Sequence, residues 1–277
     1  MIAHQEVFVF CAEPGDKTGM GTHARIGAVE LLGAFGDDEF IANAARTSFN
    51  KESTDTERNR KLIHYLYRNK HTSPLEMGNI TFRITAPIFV ARQWVRHRTA
   101  KMNEVSRRYV DSEPHFYIPD SYRARPEKSV KQGSDPYAAV SKSDVLRADV
   151  IELYDEALRI YDKMIEEGVA PELARMHLPL STYTTWVWQM DLHNLFHFLK
   201  LREDSHAQAE IREFAHTIHD MINAHLPQFS AAMEVFEDMQ GLEEAVRTAA
   251  NVYKDDLSEL EMAILDIAKD KELENAE

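Results

Sequence analysis

The chain has 277 residues, 44% of them hydrophobic, and a formal net charge of −14. That length buries a sizeable core in one large or two small domains, and the acidic balance argues against a general nucleic-acid coat or an anionic-membrane binder. Cys11 is the only cysteine, which excludes an intrachain disulfide; with no membrane-length apolar run and no basic leader, a cytoplasmic protein is expected.

In chain order, "EVFVFC" (6–11) reads as a short strand, and "GDKTGMG" (15–21) as a flexible loop, since it lacks the glycine spacing of a Walker motif. "EFIANAARTSFN" (39–50) has helical spacing, and "TERNRKLIHYLYRNKH" (56–71) is amphipathic, with Leu62, Ile63 and Leu66 on one stripe. "NITFRITAP" (79–87) alternates strictly and predicts a half-buried strand with Ile80, Phe82 and Ile84 inward. Pro87 suits the start of a helix that continues through "IFVARQWVRHR". After it, Asn103 and Ser106 make the chain read as a loop.

Residues 119–143 are rich in Pro, Ser and charge, and read as a surface excursion. "VLRADVIELYDEALRIYDKMIEEG" predicts a long helix stopped by Gly168. "PELARMHLP" is a short helix between prolines, "STYTTWVWQM" (181–190) a strand, and "DLHNLFHFLKLR" (191–202) a helix with Asp191 placed to cap it. "SHAQAEIREFAHTIHDMINAHL" (205–226) is a longer helix, where Ser205 and Gln208 fit a capping box. Beyond Tyr253, Leu257, Leu260, Ile264 and Ile267 keep helical spacing in an acidic tail. Helix and strand mix without βαβα alternation, so the expected class is α+β. The expected domains are 1–235, with an excursion at about 122–147, and an acidic helical extension at 236–277.

One stretch departs from the acidic average. "RHRTAKMNEVSRRY" (96–109) holds five arginines or lysines and a histidine, and its only acid is Glu104. Cations near a helix C-terminus need no function beyond meeting the dipole. Here, however, arginine outnumbers lysine, and its planar fork matches phosphate and carboxylate. Arg175 and Arg202 sit in otherwise apolar contexts, where a guanidinium usually has an anion to meet. The residues alone thus point to a site for anionic small molecules. His193 and His197 have metal-ligand spacing, but "HNLFH" lacks the glutamate of a zinc motif. Glu213 and His216 give one ExxH pair where a di-metal site needs two, so no metal is expected.

The same stretch closely resembles the signature of the flavin-dependent thymidylate synthases: Arg-His-Arg, seven residues, then Ser, with Asn-Glu before the Ser and Arg-Tyr after it. "AARTSF" (44–49), "KHTSPLE" (70–76), "APIFVARQWVRHR" (86–98), "FYIP" (116–119), "ARMHLPLSTYT" (174–184) and "FLKLREDSHAQAEI" (198–211) resemble family segments in family order. The resemblance covers roughly residues 38–226 and leaves the 122–147 excursion and the tail as additions.

The resemblance implies an α+β homotetramer whose four active sites are each built from several subunits. It implies conversion of dUMP to dTMP with methylenetetrahydrofolate as carbon donor and FAD, reduced by NADPH, as hydride source. These ligands are all anionic, which gives the basic cluster a purpose. Gln93, Trp94, Val95, Arg96, Glu104, Val105, Ser106, Arg107, Arg108, Arg175 and Arg202 match dUMP-binding positions. Ser48, His71, Ser73, Glu76, Arg96, His97, Arg98, Glu104, Asp191, His193, His197 and His206 match FAD-binding positions. Arg202 matches the catalytic arginine credited with activating dUMP. Asp191 and His193 depart from the family's usual Asn and Arg. The rival readings are a non-enzymatic phosphate clamp and a conventional synthase using a cysteine nucleophile. The second would rest on Cys11, which has no cation within several residues.

Overall fold

The computed structural model describes residues 3–11, 22–109, 113–126, 134–135, 138–252, 259–264 and 266–267. The expected loop at 15–21 and Leu257 lie outside them, as does the side chain of Cys11. The chain forms two compact units, Met1–Phe35 with Asn79–Leu226, and Gly36–Gly78 with Pro227–Glu277.

The first unit is built on a five-stranded sheet of order β1-β2-β3-β5-β4, antiparallel throughout. The strands are β1 Ala3–Cys11, β2 Thr22–Phe35, β3 Asn79–Pro87, β4 Lys101–Glu104 and β5 Tyr183–Asp191. The alternation in β3 holds as read, with Ile80, Phe82 and Ile84 buried. Two strands differ from the sequence expectation. β2 carries no strict alternation that marks it as a strand: its register against β3 slips between Leu31 and Gly33, and its register against β1 slips separately between Gly27 and Arg25, which pair with Val7 and Phe8. The reading of residues after 98 as a loop is corrected by β4, four polar-flanked residues whose extended form comes from pairing with Trp186–Gln189 of β5.

Two strands run directly into helices. Pro87 ends β3 and is the N-cap of α3, Ile88–Trp94. Asp191 ends β5, and its carboxylate accepts from the backbone N–H of Asn194 at 2.9 Å to start α6, Leu192–Arg202. α7, Ala209–His225, packs against β1, β2, α3 and α6. Its N-cap is Gln208, which makes no side-chain cap bond, so the expected capping box is not formed. Between sheet and helices lies an aromatic core, in which Trp94 sits 4.8–5.7 Å, ring to ring, from Trp186, Trp188, Phe198 and Phe214. α4, Ser143–Glu166, precedes the short α5, Pro171–Ala174. α4 begins at Ser143, so residues 143–147 belong to it and the irregular excursion ends at 142. The described flanks of that excursion pair with each other, Arg123 bridging Ala139.

The second unit holds α1 Asp38–Arg46, α2 Thr56–Arg68 and α8 Ser230–Val252. Ile41, Ile63, Leu66, Phe229 and Phe236 are buried. The boundary expected at 235 falls within α8, and residues 259–264 are helical. No helix among the described residues is long and apolar enough to cross a membrane.

Candidate active site

α6 has 11 residues, a span of roughly 16 Å at about 1.5 Å per residue. It delivers Arg202, its last residue, to the C-terminal end of α3. The carbonyl of Gln93 there has no partner within its own helix, and Arg202 Nη2 donates to it at 2.9 Å. Arg202 Nε donates to Nε2 of His97 at 3.1 Å. His97 lies just past α3, packed edge-on to Phe198 at 4.9 Å and near the ring of His197 at 5.9 Å. Its pKa is pushed down to about 4, first by burial and then by the positive charges of Arg202 and His197. A neutral imidazole accepts on one nitrogen only, so the proton sits on Nδ1. Burial also pulls Arg202 below its ordinary value.

The neighbouring acids do not neutralise Arg202. Glu203 accepts from Nδ1 of His219 at 2.7 Å, and Asp204 from the backbone N–H of His206 at 2.8 Å. Arg202 makes no ion pair among the described residues, and its charge is held by two neutral acceptors.

Arg202 separates two cavities. The larger, of about 1310 Å³, is lined by Phe89, Gln93, Tyr117, Tyr122, Arg123, Tyr154, Ser181, His206, Gln208, Glu210 and Arg212, among others. The smaller, of about 300 Å³, is lined by Arg96, His97, Arg98, Thr99, Asn194, His197, Leu201 and Arg202. Three guanidinium groups and no acid line the smaller one, a donor set that fits an anionic group. Asp191 stays clear of that lining. Both of its oxygens accept from the side chain of Asn194, at 3.0 and 2.8 Å.

The structure thus brings together Gln93, Arg96, His97, Arg98, His197, Arg202 and His206 of the residues singled out in the sequence. Trp94 turns its side chain into the core, where it is 1% exposed. Glu104 accepts from Thr184 at 2.7 Å on the β4–β5 pair, and Ser106 accepts from the backbone N–H of Arg108 at 3.3 Å. Val105, Arg108 and Arg175 are exposed, while Arg107 and His193 are half-buried. Ser48, His71, Ser73 and Glu76 stand exposed in the second unit. There Glu76 accepts from Thr72 at 2.8 Å.

Sequence reasoning missed Tyr122, Arg123, Ser181 and Glu210. Glu210 is 4% exposed and ion-paired with Arg123, itself within the excursion. Its one signal was its place in "AEIREFA", an acid on the face shared by Phe214 and Ile218. No cluster of three or more metal-ligating side chains occurs among the described residues.

A half-buried cation without an ion pair among the described residues, lining two cavities, fits an enzyme site for anionic ligands. The family profile described as "Thymidylate synthase complementing protein" matches residues 30–228. The flavin-dependent thymidylate synthase of Treponema denticola is 42% identical over 215 residues, 76% of this chain and 80% of the relative. That of Thermus thermophilus is 44% identical over 208 residues, 75% and 76% of the two chains. The fold is similar to the crystal structure of the UMP/dUMP methylase PolB from Streptomyces cacaoi bound with 5-Br dUMP. Its TM-score is 0.66 at 32% identity, over 76% of this chain and 94% of that one. This chain belongs to the flavin-dependent thymidylate synthase family.

Proposed function

We propose that this protein converts dUMP to dTMP, taking the carbon from methylenetetrahydrofolate and using FAD reduced by NADPH, with no nucleophile supplied by the protein. The observation that carries the reading is Arg202, held by His97 and the Gln93 carbonyl with its charge uncompensated. In water an exposed cation would do little. In a partly desolvated site it favours negative charge on whatever lies beside it. Beside a uracil ring it favours loss of the imide proton, which enriches the ring for attack on the methylene carbon. When bound and reduced by NADPH, FAD would supply the hydride that completes the methyl group. The basic wall of the smaller cavity suits the cofactor, and Gln93, Arg96, Glu104, Ser106, Arg107, Arg108 and Arg175 are assigned to the nucleotide by resemblance.

Self-association as a homotetramer belongs to the same reading. It is supported by α4, which leaves Val145, Leu146 and Leu153 exposed along 24 residues. The synthase domain is assigned to 1–235 and the acidic extension to 236–277. A second substrate reading has its own support, since PolB is named for both UMP and dUMP. The test is to follow NADPH oxidation by purified, flavin-loaded protein with methylenetetrahydrofolate and either dUMP or UMP, and to weigh the nucleotide product. A gain of one methyl on dUMP is expected. Methylation of UMP alone would replace the substrate, and no methylated product from either would overturn the reading.

A further inference from the structure

A chain of hydrogen bonds leads from Arg202 to the buried acid that sequence reasoning missed. Gln93, whose carbonyl holds Arg202, donates from its side-chain Nε2 to Oε1 of Gln208. Gln208 in turn donates from Nε2 to Oε2 of Glu210 at 2.8 Å. The other oxygen of Glu210 accepts from Arg123 Nη2, and Arg123 Nε donates to Ser134 at 2.8 Å.

The direction of this chain is set by charge. A carboxylate only accepts, so Gln208 must turn its NH2 toward Glu210 and its oxygen toward Gln93. Gln93 must then give its NH2 to Gln208. Its own Oε1 is left without a partner among the described residues, on a side chain that lines the larger cavity beside Arg202. We propose that Glu210 is a specificity-determining positioning residue: through Gln208 it fixes Gln93 with an acceptor toward the cavity, so that a pyrimidine with a ring N–H is selected over one with a ring nitrogen acceptor. A neutral uracil presents that N–H between two carbonyls, matching Gln93 Oε1 beside the donors of Arg202. Cytosine presents a lone pair there and would leave both it and the glutamine oxygen unpaired. The inference rests on the nucleotide reading above. It concerns binding of the neutral base, whereas loss of the imide proton is read in turnover.

Glu210→Gln tests it, because the polarity of the chain then reverses. Buried Arg123 still requires an oxygen, so residue 210 turns its new NH2 toward Gln208, Gln208 flips, and Gln93 presents an NH2 to the cavity. On flavin-loaded protein, dissociation constants for dUMP and dCMP are measured by titration calorimetry. Wild type is expected to prefer dUMP by about a hundred-fold or more. Glu210→Gln should narrow that ratio at least ten-fold with flavin content unchanged, a shift that a merely structural role would not produce. In a Gln93→Ala background the same substitution should leave the ratio within two-fold, since the two act as one unit. An unchanged ratio in folded Glu210→Gln, or losses that add in the double variant, would overturn the assignment. Should that variant not fold, Gln208→Ala breaks the chain at an exposed residue and leaves the ion pair in place, with the same expected narrowing. Wild type that binds neither nucleotide ends both this assignment and the reading beneath it. Wild type that binds dUMP while the ratio stays fixed in the variants ends only this one.

Discussion

Arg202 donates to His97, cation to neutral imidazole, at 3.1 Å across 105 residues of sequence. An arginine bound by a carboxylate would bring no net charge to a ligand. Bound by a neutral acceptor and a backbone carbonyl, it is fixed in place and keeps its full charge.

Arg202→Ala removes that charge and leaves the Gln93 carbonyl to water. Hydrogen bonds to charged groups contribute about 1.5–3 kcal/mol, so dTMP formation at saturating dUMP should fall roughly ten- to hundred-fold or more. Flavin content should fall far less than turnover, because Arg96 and Arg98 still line the smaller cavity, and the thermal midpoint should change little. Arg202→Lys should recover only part of the loss, because an ammonium cannot hold His97 and Gln93 in one plane. Wild-type turnover in either variant would remove Arg202 from the mechanism.

His97 should titrate near pH 4 instead of at the ordinary value of 6.5. Its folded pKa is depressed, so its contribution to stability is complete above about pH 6.5 and is lost as pH falls toward 4. Imidazole NMR signals followed from pH 7.5 to 3.5 check this directly. A titration centred near 6.5 in the folded protein would mean that the ring is neither desolvated nor pressed by Arg202. His97→Gln, which keeps an acceptor, should retain more turnover than His97→Lys, which places a second cation against Arg202.

Much of the fold is legible because the local pattern and the tertiary environment agree. β3 alternates because one face meets the aromatic core, and α6 starts at Asp191 because a carboxylate caps it. β4 is not legible: "KMNE" has no strand pattern of its own and is extended only through β5. The signature arginines and Arg202 announce themselves as cations in apolar or clustered settings. Glu210 does not, since an acid in a helix ordinarily faces water. Its partner Arg123 lies 87 residues away in a segment that reads as a surface excursion. The pairing exists only once the fold brings them together.

In the second unit, Asp38 accepts from the backbone N–H groups of Ala231 and Ala232 at 2.7 and 3.2 Å, capping the start of α8. Burial raises its pKa to about 6 from 3.8, outweighing those bonds. A raised carboxylate means that the folded state holds the extra proton between about pH 4 and 6, so this group's contribution to stability grows as pH falls through that window. Asn caps about as well as Asp, and Asp38→Asn removes a buried charge, so at pH 7 the variant should be as stable as wild type or more so. It should also remove that part of the pH dependence. Urea midpoints of wild type and variant at pH 7 and 4.5 give the difference directly. A gap between the two proteins that is the same at both pH values would show that Asp38 does not titrate there.

The proposed chemistry uses no protein nucleophile. A thiolate attack on uracil needs a cysteine with a lowered pKa inside the site. Cys11 is the only cysteine, and it ends β1, whose one neighbouring strand is β2, on the opposite edge of the sheet from β4. Ser106 lies beyond β4 within the signature, but a serine attacks only with a base to take its proton. Among the described residues its Oγ meets the backbone N–H of Arg108, a donor, and its neighbours Arg107 and Arg108 are cations. That setting suits a hydrogen bond to the nucleotide. Cys11→Ala should therefore turn over like wild type, and Ser106→Ala should be slowed roughly ten-fold, the usual cost of one or two hydrogen bonds, yet remain active. Enzyme denatured during turnover and analysed by mass spectrometry should carry no dUMP on either residue. A covalent adduct at Ser106 or Cys11, or complete loss of turnover on removing either side chain from folded, flavin-loaded protein, would return the chemistry to a protein nucleophile.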